Sequence, residues 1–173
     1  ALAVIAYVQV LISMVFMGFT SAVEPIFSYH YGSGNVEMRR RVYRLCMRWN
    51  LVLGVVTMLL LWALRGWMVG IFFDRGTAFY DIAALGYLFI LPACLFIGTN
   101  IFGSGLFTAF GNGAVSGLLS LIRSFAVLTC CLYGLTALFG GKGLWSAWPA
   151  AELLSAFVTL FTLKKYRKRY QYS

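Results

Sequence analysis

The 173-residue sequence predicts an all-α integral membrane protein with five transmembrane helices. Three observations carry this expectation. Residues of the AVILMFWYC class make up 61% of the chain and charged residues 11%, where soluble domains have about 45–50% and 25%; a soluble core of this size has no room for so much apolar surface. The apolar residues fall in long continuous blocks, not in the ~10-residue alternating stretches of a β-barrel. The basic residues gather on alternate connections between those blocks.

The first block covers about residues 1–31 and closes on the turn residues Gly32-Ser33-Gly34-Asn35. A basic stretch precedes the second, about 50–72. The third, about 79–110, lies between Asp74-Arg75-Gly76 and Gly111-Asn112-Gly113, and the fourth, about 114–139, ends at Gly140-Gly141-Lys142-Gly143. The fifth, about 144–163, leads into a basic tail, 164–173. Each block meets the ~20 residues needed to cross hydrocarbon, and the first and third can tilt or run past the surface. Turn-forming residues on short connections predict antiparallel neighbours. Residues 1–163 therefore read as one transmembrane lobe.

With five spans, one side of the membrane receives Arg39, Arg40, Arg41, Arg44 and Arg48 together with Lys164, Lys165, Arg167, Lys168 and Arg169. The other receives only Arg65, Arg75 and Lys142. This bias places the first loop and the C-terminus in the cytoplasm. It also accounts for the net charge of +9 without nucleic acid, leaving membrane lipid as the partner. Residues 1–14 show no basic n-region, so no signal peptide is expected. An odd number of spans opening at Ala1, without an initiator methionine, leads us to expect a further N-terminal part of the same protein. Cys46, Cys94, Cys130 and Cys131 carry no metal-like CxxC pair and read as packing residues.

Charged and polar groups inside hydrocarbon are costly, so they are the informative ones. On a helical wheel Gln9, Ser13, Thr20, Glu24, Ser28 and Tyr31 fall within an arc of roughly 100°. That face should look into the bundle or a water-filled cavity. Pro25 directly follows Glu24 and is expected to kink the helix as a gating bend. Arg123 lies ~14 Å from the start of its span, Glu152 ~16 Å from the end of its own, and Glu24 ~12 Å from the Gly32 turn. Opposite charges at one depth on sequential helices predict an intramembrane ion pair, Arg123–Glu152. Asn100, Ser104 and Thr108 repeat at i, i+4 and i+8, and Ser155 and Thr159 form a second polar pair. His30 reads as an interfacial histidine, and Trp62, Trp67, Trp145, Trp148 and Tyr166 as an interfacial belt. No GxSxG, HExxH, Walker loop or GxGxxG appears, so neither an enzyme nor a metal site is expected.

At Glu24-Pro25-Ile26-Phe27-Ser28-Tyr29-His30-Tyr31-Gly32 the sequence resembles the multidrug and toxic compound extrusion (MATE) family, whose corresponding helix commonly reads Gln-Pro-Ile-x-x-Tyr-Asn-Tyr-Gly-Ala. The basic stretch Arg39–Arg48, Phe107-Thr108-Ala109-Phe110-Gly111, Leu119-Ser120-Leu121-Ile122-Arg123 and Pro149-Ala150-Ala151-Glu152 are similar to later motifs of that family, in order. Glu24 stands where the family commonly has glutamine. The resemblance implies helices eight to twelve of a two-lobe, twelve-helix transporter in the bacterial inner membrane, with the first lobe and helix seven as the missing partner. It implies export of amphipathic or cationic small molecules in antiport with protons or sodium, by alternating access and without a cofactor. Substrate and ion would follow the polar stripes, at Glu24, Ser28, Tyr31, Asn100 and Ser104. Two alternatives share the sequence features: a flippase of lipid-linked saccharide precursors on the same superfold, and a membrane scaffold that transports nothing.

Overall fold

The computed structural model describes residues 2–172; Ala1 and Ser173, the first residue of the first predicted span and the last of the tail, lie outside the described residues. Among those residues all regular structure is helical. Five segments are long and apolar enough to cross a membrane: Ala6–Gly32, Val36–Gly70, Ala78–Ala109, Gly113–Phe139 and Gly141–Tyr170. The first belongs to α1 (Leu2–Gly32) and the second is α2 (Val36–Gly70). The third comprises α3 (Ala78–Ile90), a 3-10 turn (Leu91–Ala93) and α4 (Cys94–Ala109). The fourth comprises α5 (Gly113–Leu121), a π-helical stretch (Ile122–Val127) and α6 (Leu128–Phe139), and the fifth is α7 (Gly141–Tyr170).

Two predicted boundaries need correction. The second helix starts at Val36, not near residue 50, because Asn35 caps it through a 3.0 Å bond from the Met38 amide, and Glu37 sits in its first turn. At 1.5 Å per residue, its 35 residues make a rod of ~52 Å, well beyond a ~30 Å hydrocarbon layer. Likewise the basic tail is helical through Tyr170, and α7 ends where Gln171 turns left-handed. Hydropathy marks only the lipid-facing part of a helix; charged helix formers carry it farther.

The helical pattern is interrupted at places other than Pro25, the bend that the sequence marks. Helix α1 continues through Pro25. The helical pattern changes instead at Pro92, inside the 3-10 turn, and over Ile122–Val127, a stretch that contains no proline. Pro92 lacks an amide donor and tightens the chain locally. The π stretch widens the turn that carries Arg123, a kind of irregularity frequent at functional sites.

Helix α4 is the hub, packed against α1, α2, α5 and α7. Lipid supplies no hydrophobic drive between helices, so small residues and polar contacts must bring them together. A Cβ added at Gly98 would meet Phe16 of α1 and Asn50 of α2; at Gly103 it would meet Thr159 of α7; at Gly105 it would meet Thr20 and Glu24 of α1. Glycine at these three positions lets three neighbours approach the α4 backbone. Burial follows the same order: half of the third span's most apolar window is buried, against 11% for the fourth.

Among the described residues three apolar clusters fill the interior, one around Phe16, Tyr87, Cys94 and Ile97, a second around Phe27, Phe102, Phe107 and Leu163, and a small third of Cys131, Ala147 and Ala151. At the basic end the second becomes aromatic. Tyr170 stacks on Phe110 at 4.8 Å and Tyr172 lies 4.8 Å from Tyr43. The Tyr172 hydroxyl donates to the Leu163 carbonyl. Burial, and then Tyr43 beside it, hold the Tyr172 phenol above its ordinary value, so it remains a donor. Trp62 and Trp67 are exposed as an interfacial belt requires, whereas Trp148 is buried beside an internal cavity and does not belong to it.

Candidate transport cavity

The polar face of α1 does turn inward. Thr20, Ser21 and Glu24 form one wall of a cavity of about 220 Å³, with Asn100, Ser104 and Thr108 of α4 opposite and Ser120 and Arg123 of the fourth span closing it. Gln9 and Ser13, two turns farther along α1, line a second cavity of about 240 Å³ with Ser124, Trp148 and Glu152. Arg123 borders both.

Glu24 is half-buried and makes no hydrogen bond or ion pair to any described residue. Its position is set by the Gly105 notch, where an added Cβ would stand 2.6 Å from its Oε1. The predicted pair, Arg123 and Glu152, is present with Nη1 and Oε2 3.9 Å apart. It is a charge contact only, since Arg123 Nη1 has no hydrogen-bond partner.

The closer partner of Glu152 is Asn100. Its Nδ2 donates to Glu152 Oε2 at 2.7 Å and to the Glu152 carbonyl at 2.9 Å, while Thr159 donates to Asn100 Oδ1 at 3.1 Å. Asn100 thus touches the cavity, yet its amide is committed to joining α4 to α7. Ser104 is similarly engaged: its hydroxyl donates to the Ser116 carbonyl at 3.0 Å and lies 2.8 Å from Ser120 Oγ. Thr108 Oγ1 stands 2.8 Å from Ser116 Oγ, which completes a ladder of hydroxyls between α4 and α5.

Two predicted pathway residues lie elsewhere. Ser28 donates to the Ala109 carbonyl at 3.0 Å, tying α1 to the end of α4. Tyr31 joins the aromatic cluster, 5.1 Å from Phe110, with the Arg39 guanidinium 5.4 Å above its ring. Both continue the helical stripe of Glu24, but α1 outruns the cavity. His30, read as interfacial, has its Nδ1 buried without a partner, and its carbonyl accepts from Arg39 Nη1 at 3.3 Å.

Sequence reasoning missed Ser116, Ser120 and Ser124. Ser116, Ser120 and Arg123 share one helical face at i, i+4 and i+7, a polar stripe that was available to be found. No group of three or more His, Cys, Asp or Glu side chains could hold a metal among the described residues.

The sequence model of the MatE family matches residues 1–133, more than three quarters of the chain, and so takes in Glu24, the α4 stripe and Arg123. Neither the curated proteins nor the solved structures compared with the chain give a match. Apolar helices, glycine-mediated packing around α4 and the family match agree, and this multi-pass membrane protein belongs to the MatE family of transporters.

Proposed function

We propose that the chain is the C-terminal lobe of a secondary active multidrug transporter, exporting amphipathic or cationic compounds in antiport with protons or sodium. A first lobe completes the pathway, and the protein sits in the bacterial inner membrane with its C-terminus in the cytoplasm. The observation that carries this reading is the mid-membrane cavity with Glu24 on its wall and no partner for that carboxylate. An unpartnered acid at that depth favours a cation beside it, whether a proton, sodium or a charged substrate. Loading Glu24 would shift the balance between outward- and inward-facing states, because one state holds the ion more tightly than the other.

The cavity charges favour a drug transporter over a flippase for anionic lipid-linked precursors. Among the described residues Arg123 is the one cation on its wall, set against one carboxylate, Glu24. A pathway for pyrophosphate-bearing cargo calls for several cations. The test is flux of a fluorescent organic cation from proteoliposomes of the complete polypeptide under an imposed pH or sodium gradient. Flux that follows either gradient supports the proposal, and absence of gradient-driven flux under both refutes it.

A further inference from the structure

At the basic end, the first half of α2 and the last turns of α7 border a cavity of about 720 Å³. Arg40 and Arg44, one turn apart on α2, and Arg167 on α7 line it together with Glu37 and Val36. Two guanidiniums of α2, Arg40 and Arg44, stand there beside one carboxylate, Glu37, with Arg167 across the groove. Arg40 and Arg44 make no ion pair with any carboxylate among the described residues. An excess of basic residues on one side of a membrane protein requires only their number; it does not require helices distant in sequence to aim them at one groove.

The groove lies at a definite level. Arg44 is six residues outside Asn50, where the apolar stretch of α2 starts, or ~9 Å. Arg167 is four residues beyond Leu163, or ~6 Å. Both distances fall in the headgroup layer that flanks the hydrocarbon. Farther along the Arg44 face of α2, at i+7 and i+11, Leu51 and Val55 are exposed, an apolar stripe below the groove. We propose that this groove binds the phosphodiester headgroup of an anionic phospholipid, with its acyl chains along that stripe. The planar guanidinium fork matches two phosphate oxygens, which makes arginine, rather than lysine, the apt residue.

The test is a titration of the full chain in neutral detergent with phosphatidylglycerol or phosphatidylcholine, counting bound lipids by native mass spectrometry. Arg40→Gln/Arg44→Gln should weaken phosphatidylglycerol binding about 30-fold, at roughly fivefold per cation near an anionic headgroup. Arg41→Gln/Arg169→Gln removes the same charge outside the groove and should leave binding within a factor of about two or three. Millimolar inorganic phosphate should fail to displace the lipid. Equal losses in the two double variants, equal binding of phosphatidylcholine, or displacement by free phosphate would each overturn the proposal.

Discussion

Substituting Gly105 by alanine places one methyl group where α1 and α4 meet beside the cavity. The added carbon would stand 2.6 Å from Glu24 Oε1 and closer still to Thr20 Cγ2. The carboxylate is the end of a flexible side chain and can turn away. Thr20 cannot: it is β-branched, stiff at χ1 and 4% exposed. Forcing a methylene-sized group into such a contact costs about 1–3 kcal/mol, offset by the ~1 kcal/mol that alanine gains over glycine in a helix. The same change at Gly117 of α5, with nothing within 4 Å of the added carbon, keeps the gain without the clash. Unfolding in mixed micelles should therefore find Gly105→Ala less stable than Gly117→Ala by about 1–3 kcal/mol. Adding Thr20→Ser, which deletes the offending methyl, should recover most of the loss. Equal stability of the two alanine variants, or no rescue by serine, would refute the packing argument.

Other outcomes follow from the same geometry. Asn100→Leu strips Glu152 of its closest donor and leaves Thr159 unanswered; a loss of about 2–3 kcal/mol is expected in the same unfolding assay, as for a hydrogen bond to a charged group. Arg123→Gln, which removes a 3.9 Å contact without a hydrogen bond, should cost less than Asn100→Leu. Tyr172→Phe should cost about 1 kcal/mol. Because the folded phenol is raised, its contribution is whole below the usual value of 10.0 and is lost as pH rises from there through the higher folded value, so the stability gap between wild type and Tyr172→Phe should stay constant up to about pH 10 and shrink above it. Glu24→Gln should flatten the pH dependence of organic-cation efflux in proteoliposomes; an unchanged rate and profile would remove Glu24 from the coupling step.

The five spans were legible because membrane crossing writes itself into composition over ~20 residues at a time. The inward face of α1 was legible because Gln9, Ser13, Thr20 and Glu24 share a helical stripe, and the Arg123–Glu152 contact because both charges lie at one depth. What stayed hidden needs a partner from elsewhere in the chain. Nothing near Asn100 announces that its amide will be spent on Glu152 and Thr159. Ser28 and Tyr31 share the stripe of Glu24, and only the length of the cavity separates them from it. The π turn at Arg123 has no proline or glycine within it to mark it, and Pro25, which does carry the mark, leaves its helix continuous.

The glycines of α4 have a mechanical consequence. Gly98, Gly103 and Gly105 notch a surface otherwise filled by Ile97, Phe102, Leu106 and Phe107, so side chains of α1, α2 and α7 seat against the α4 backbone at three points. A few directional bonds also join α4 to its neighbours: Asn100 to Glu152, Ser104 to Ser116 and Ser28 to the Ala109 carbonyl. Each such bond can be exchanged singly for one to a water molecule or to a hydroxyl of a passenger, whereas the packed side chains offer no such exchange. Polar residues that look like ligands for cargo are thus also the exchangeable part of the helix contacts.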